Sequence, residues 1–285
     1  MNEAFMKVDR ISRRESSLRL GLSLAVVVVT MAGTSASAQA GLCGDDLQGG
    51  RVACACGDIV SSDTQLRAGD PVVSERCSTD GLFLRAPRGA SSILLDLNGL
   101  SIVGRGIGSG IRVIDGGTNG ATILGSSDGR RGQIVAFRNG LHALGKTDLA
   151  VMRDVDVLAN ASDGVVVSSS GAELSGIRAA DNGRDGLRLR GHGSRYTDIE
   201  AEGNLGNGVR IGGSGAELSG RAAGNGENGI QISGEAHNIH STASTDNAGK
   251  GVFATGRNHR MADLDLRDNA AGDLAGSSAG LKADK

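Results

Sequence analysis

Residues 182–211 read NGRDGLRLRGHGSRYTDIEAEGNLGNGVRI and hold one pattern twice: asparagine, three residues, glycine, then an apolar-x-apolar triplet. The two copies are Asn182–Gly186 with Leu187/Leu189 and Asn204–Gly208 with Val209/Ile211. Outward from them the pattern recurs at Asn160–Gly164, Asn225–Gly229 and Asn247–Gly251, so the asparagines are spaced by 22, 22, 21 and 22 residues. A fixed period in the twenties marks a solenoid. The alternation after each glycine marks strand. Glycine and asparagine both tolerate positive φ, which places them at the turns.

Counting back from each asparagine exposes the rest of the coil. Met152, Leu174, Tyr196, Leu218, Ile239 and Met261 recur about eight residues before it. Val155, Ile177, Ile199, Thr242 and Leu264 stand five before, and Val157, Ala179, Ala201, Ala222, Ser244 and Leu266 three before. Each turn therefore supplies inward side chains on three short strands, and coils stacked at about 4.8 Å pile like residues on like. A buried asparagine ladder is the expected consequence. The heptapeptide 170–176 recurs unchanged at 214–220, two turns on. No Leu-x-x-Leu-x-Leu framework and no calcium-binding nonapeptide occurs, which disfavours those solenoids.

On the Asn-x-x-x-Gly turns, and on the run Asp96-Leu97-Asn98-Gly99-Leu100-Ser101-Ile102, the chain resembles the right-handed parallel β-helix family. That is the fold of pectate lyases and of many secreted bacterial proteins. The resemblance covers residues 56–269 and implies an all-β fold, a single-stranded right-handed parallel β-helix. It is specific for fold and poor for function, because one fold hosts many activities. For the secreted members, Asp96–Ile102 looks like a first-coil signature.

The first 40 residues read as a secretory signal peptide. Lys7, Arg10, Arg13, Arg14 and Arg19 precede the apolar run Leu20–Ala32, and Ala38-Gln39-Ala40 supplies a small-residue cleavage site. The run is too short to span a bilayer, so no membrane span is expected after cleavage. The remaining segments are an N-terminal cap over 41–80, the β-helix over 81–269 and a flexible tail over 270–285. The expected location is secreted or periplasmic. The leader carries five of the 30 basic and three of the 32 acidic residues, which leaves a net charge of −4. A mildly acidic chain without a basic block argues against nucleic acid as a partner.

Cysteines and aromatics add two constraints. Cys43, Cys54, Cys56 and Cys77 are an even set in an exported chain, which points to disulfides. Cys54 and Cys56 are too close in sequence to join each other without strain. Cys56 and Cys77 lie 21 residues apart, about one coil, which favours Cys56–Cys77 with Cys43–Cys54. After cleavage only Phe83, Phe137, Tyr196 and Phe253 remain as aromatics, with no tryptophan. Sugar clefts lined by stacked rings are hard to build from that set.

Candidate sites follow from the outward positions. Two residues after each turn glycine come Arg112, His142, Val166, Arg188, Arg210, Gln231 and Phe253. With Arg190 beside it, Arg188 and its neighbour Arg210 form a cationic strip suited to carboxylate or sulfate groups. Gly110 to Gly140 is a long coil of 30 residues, and the excess fits a loop at 126–132. Its Arg130 and Arg131 join the expected ligand face, since solenoid insertions often mark the binding side. In the same coil Ile134 and Ala136 regain the inward columns, five and three before Asn139.

Before the asparagines stand Asp198, Glu200 and Glu202, with Arg178 one coil earlier and Asp156 before that. An ion-pair ladder Asp156, Arg178, Glu200 is one reading. The resemblance to pectate lyases implies another: Asp198, Glu200 and Glu202 as a Ca²⁺ cluster, with Arg178 or Arg188 as base and Glu200 at the reacting centre. Gly191-His192-Gly193 matches one polygalacturonase motif, but the partner motifs Asn-Thr-Asp and Arg-Ile-Lys are absent. The expectation is therefore an exported non-catalytic binding protein for an extracellular polysaccharide or cell-surface protein, needing no cofactor. The alternative is a uronate-acting polysaccharide lyase using Ca²⁺. Oligomeric state has no signature in the sequence.

Overall fold

The computed structural model describes residues 40–47, 49–145 and 149–276, and the backbone of the strand Lys282–Ala283. The signal-peptide reading falls on residues outside that set. The chain is a parallel β-helix. Twelve strands form one sheet, in which successive coils pair in parallel register from Asp58–Val60 through Leu187–His192 and Val209–Ser214 to Leu274–Gly276. A second sheet runs along the other side of the core from Thr64–Gln65 to Lys282–Ala283.

The second sheet begins as two rows and ends as one. Ile93–Asp96, Ala121–Leu124 and Leu149–Arg153 make the first row. Ser101–Val103, Gly132–Val135 and Val155–Leu158 make the second. From Glu173–Ala180 onward single strands cover both rows, bending at Gly176, Asp198, Ser241 and Asp263, which all take φ between 47° and 61°. The first-sheet strands and the two rows give the three strands per coil that the sequence columns imply.

Those columns are real neighbours. Met152, Leu174, Tyr196, Leu218, Ile239 and Met261 pair in direct succession and are all buried. Val157, Ala179, Ala201, Ala222 and Ser244 form a second buried column. In the next coil Leu266, opposite Ser244, and Leu264, opposite Thr242, are only partly buried. The winding also extends beyond both sequence-drawn borders: Asp58–Val60 already pairs with the coil strand Leu82–Arg85, and Leu274–Gly276 pairs with Val252–Arg257.

The asparagines stack as expected, but their backbone reason differs. Along the ladder that starts at Asn160, each of Asn182, Asn204, Asn225, Asn247 and Asn269 accepts through Oδ1 from the backbone N–H and the side-chain amide of the asparagine one coil earlier, at 2.8–3.2 Å. The left-handed conformation sits one residue before each: Ala159, Asp181, Gly203, Gly224, Asp246 and Asp268 have φ of 52–63°. The turn glycines Gly164, Gly186, Gly208, Gly229 and Gly251 are absent from the positive-φ set. They are glycines because of close approach. A Cβ on Gly186 would lie 2.6 Å from Asn204 Nδ2 and 2.7 Å from the Gly208 carbonyl.

The long coil also departs from the reading. Ile134 pairs with Val157, three before Asn160, so the ladder position of this coil falls on Phe137 and not on Asn139. Phe137 supplies only its N–H, to Asn160 Oδ1 at 2.9 Å, and its ring fills the core. Ala136 sits at the turn with φ 58°. Asn139 instead pairs with Ser109 in the first sheet. The excess residues do lie at 126–131, between Leu124, opposite Arg153, and Gly132, opposite Val155.

Both disulfides are formed, Cys43–Cys54 and Cys56–Cys77, with Cα atoms 5.0 and 5.4 Å apart. The antiparallel pair Leu42–Leu47 and Gly50–Val52 closes the first sheet's edge. Arg51 pairs across this hairpin with Asp45 and ties it to the buried Asp70. A cap of this kind covers a strand edge that would otherwise invite another chain.

Candidate ligand-binding face

The outward side chains of the first sheet line up across coils. Arg112, His142, Val166, Arg188, Arg210, Gln231 and Phe253 are each opposite the next in register. Arg190 lies two residues further along its strand, opposite Ser168 and Gly212. Leu144, Val166, Ser168, Arg188 and Arg190 border a shallow depression of about 280 Å³. Parallel strands about 4.8 Å apart give a chain laid across this face a new side chain at each coil.

The cations are partly matched from below. Arg188 Nη2 lies 2.9 Å from Asp163 Oδ2, and Arg210 Nη1 lies 3.9 Å from Asp185 Oδ2. Both carboxylates are nearly buried, while the arginines keep 32% and 42% of their side-chain surface. Arg190 and Arg112 form no ion pair among the described residues. Burial, and then Arg112 and Arg188, push the His142 imidazole below its ordinary range, against Asp163 and Asp80. At neutral pH it is an uncharged member of the strip.

Asp163 and Asp185 belong to a second polar ladder that the sequence reading missed. It occupies the position just before each turn glycine. Asp163 Oδ1 accepts the Asp185 N–H at 3.2 Å, and Asp185 Oδ1 accepts both N–H and Nδ2 of Asn207 at 2.9 and 3.0 Å. Asn207 and Asn228 continue it to the Lys250 N–H. The sign was there: Asp-Gly, Asp-Gly, Asn-Gly, Asn-Gly at 163, 185, 207 and 228. A glycine column at 191, 213, 234 and 256 was likewise written at a fixed five residues after the turn glycine. Its members Gly213, Gly234 and Gly256 floor an open hollow of about 590 Å³ beside His192, Ser214, Glu235 and Arg257, so of the polygalacturonase-like triplet the histidine lines it.

Arg130 and Arg131 are not on this face. They leave the bend of the second sheet, where Arg130 binds Asp128 and donates to Asn98 Oδ1 at 2.7 Å. Arg131 Nη2 lies 2.6 Å from Asp156. The Asp96–Ile102 run explains the bend: buried Asp96 accepts the Asn98 and Ser127 N–H groups, and Asn98 takes φ 55°. The loop is thus pinned to the preceding coil.

The acidic set on the second sheet is ion-paired in part: the expected ladder forms from Arg178 onward, while Asp156 pairs with Arg131 instead. Asp156, Arg178, Glu200 and Arg221 are consecutive partners. Arg178 lies 3.8 Å from Glu200 and 3.5 Å from Glu202, and Arg221 3.3 Å from Glu202. Asp198 stands apart from them at the bend, with φ 53°. Among the described residues no group of three or more His, Cys, Asp or Glu side chains is placed to hold a metal. Arg178 and Arg188, the residues considered as bases, are each held in ion pairs with carboxylates of the protein.

No family model matches the chain, and no curated protein matches it. Among solved structures it is similar to the A-module of the mannuronan C-5 epimerase AlgE6 from Azotobacter vinelandii. The identity is 16% and the TM-score 0.51, over 84% of this chain and 68% of that one. At that identity the likeness carries the fold alone. The two disulfides are the chemistry of an oxidising compartment. No helix among the described residues is long and apolar enough to cross a membrane.

Proposed function

We propose that the protein is an exported, non-catalytic β-helix whose first-sheet face binds an acidic extracellular polysaccharide. The observation that carries this reading is the in-register pair Arg188 and Arg210 with Arg190 beside them. A polyuronate presents one carboxylate per sugar, and a guanidinium fork matches a carboxylate with two parallel hydrogen bonds. The second-sheet arginines offer no comparable strip, because glutamates alternate with them. The folded relative acts on mannuronan by name, which is in keeping with a polyuronate ligand.

That same relative is the ground for a second reading, a uronate-acting enzyme. It is weakened by the ion-paired state of Arg178, Arg188 and Glu200. One experiment separates the two. Purified protein is titrated with polygalacturonate and with alginate, with and without Ca²⁺, while unsaturated product and the ratio of C-5 epimers are followed. The binding reading expects saturable affinity, no product, and a loss of about tenfold in Arg188→Ala/Arg210→Ala. Undiminished binding by that variant sinks the proposed face. Product formation replaces the reading with the enzymatic one.

A further inference from the structure

A second cleft lies away from the arginine strip, at the N-terminal coils. Three successive strands of the first sheet, Asp58–Val60, Leu82–Arg85 and Ser109–Asp115, leave it at one corner. Their loops enclose a hollow of about 860 Å³, lined among others by Ser61, Arg85, Pro87, Arg88, Asp115 and Thr118. That is within the roughly 300–1,000 Å³ of small-molecule sites.

The cleft holds polar groups without partners. Arg85 and Arg88 form no ion pair among the described residues. Ser61 Oγ is the one buried side-chain oxygen or nitrogen there without a hydrogen bond. Such an atom costs stability unless something else uses it. Asp115 Oδ1 accepts the Gly117 N–H at 3.0 Å, which leaves Oδ2 to accept from a ligand. The walls are braced: Ala86 N–H bonds the Asp115 carbonyl at 2.8 Å, and Asn119 N–H bonds the Ser91 carbonyl at 2.7 Å. Gly117 takes φ 80° and packs so closely that a Cβ would lie 2.7 Å from that Ser91 carbonyl.

We propose that this cleft binds a single sugar acid. Arg85 and Arg88 take the carboxylate. Asp115, Thr118 and Ser61 take ring hydroxyls, and Pro87 gives an apolar patch for the ring's C–H face. An inorganic dianion such as hydrogen phosphate fits less well, because Asp115 repels its second charge and it brings a single hydroxyl donor where a sugar acid brings several. The site uses none of the residues of the arginine strip, and it stands whether or not that strip binds a polymer.

Calorimetric titration of the full chain tests it, with D-galacturonate, D-galactose and inorganic phosphate as probes. Saturable binding of galacturonate is expected, with galactose and phosphate each about tenfold weaker or worse. Arg85→Ala/Arg88→Ala should lose galacturonate by about tenfold or more, whereas Arg188→Ala/Arg210→Ala should leave it unchanged. The two exposed arginines can be removed without disturbing the core. Should that variant melt early, the near-isosteric Asp115→Asn decides: galacturonate weakens and phosphate tightens. Absent galacturonate binding, equal binding of phosphate, or affinity indifferent to both variants overturns the assignment.

Discussion

Asn204 shows how much one side chain does here. It accepts from the N–H and the amide of Asn182, donates to Asn225, and donates to the Ala179 carbonyl at 3.0 Å. Asn204→Ala strands these groups inside the protein, and each buried orphan costs about 1–3 kcal/mol. A loss of at least 3 kcal/mol in denaturant unfolding is expected, about what the two lost bonds of Asn182 alone demand. A change below about 1 kcal/mol contradicts the ladder's role. His237 is the pH-sensitive counterpart. It stacks on His259 with centroids 5.3 Å apart, accepts the Ala216 N–H through Nδ1 and donates through Nε2 to the Ser233 carbonyl. Burial, then the neighbouring His259, lowers its pKa, partly opposed by the Ser233 bond. The unfolded chain, with a histidine near pKa 6.5, therefore binds more protons below that pH. Stability falls as pH drops below about 6.5, and His237→Ser, the residue at the matching Ser194, flattens that slope. Melting curves between pH 8 and 5 check this; an unchanged slope in the variant refutes it.

At the scale of the coil, two kinds of glycine behave oppositely. Gly193 is left-handed, φ 62°, with nothing within 4 Å of a Cβ. Gly186 is in an ordinary conformation but has no room for one. Gly193→Asn should cost under about 1 kcal/mol, since asparagine tolerates that backbone. Gly186→Ala should cost about 3 kcal/mol through clash and a disturbed ladder. Reversal of that order in unfolding midpoints rejects the close-approach account. The sequence showed that these positions recur but not why, because period reports equivalence and not conformation. The duplicated heptapeptide makes the point: Gly176 has φ 61° and its copy Gly220 has φ 142°, because the copy's own coil, Asn204 to Asn225, is one residue shorter and Gly220 falls opposite Ile199. The same limit explains Phe137. Counting from Asn139 treated any asparagine before a glycine as a ladder member, whereas the core accepted a ring at that place.

Over the whole molecule, the fold was readable because burial columns repeat every coil, and repetition multiplies a weak two-residue alternation. The cysteine pairing was readable for the same reason, one bridge being a single coil in length. The ligand face was readable only in part. Outward positions on one sheet follow from alternation, so Arg188 and Arg210 were placed correctly beside each other. Arg130 and Arg131 lie on a loop, where no period fixes direction, and they point to Asn98, Asp128 and Asp156 instead. The N-terminal cleft left no trace at all, since it is assembled from three loops 24–30 residues apart in sequence. Binding along a strip predicts a footprint that runs across coils. Hydrogen exchange with and without polygalacturonate reads it most directly. Slowed exchange in the adjoining strands Val165–Ser168, Leu187–His192 and Val209–Ser214, with none in the second sheet's Arg195–Glu202, is the expected result. Slowing confined to the second sheet, or spread evenly over both, contradicts the account.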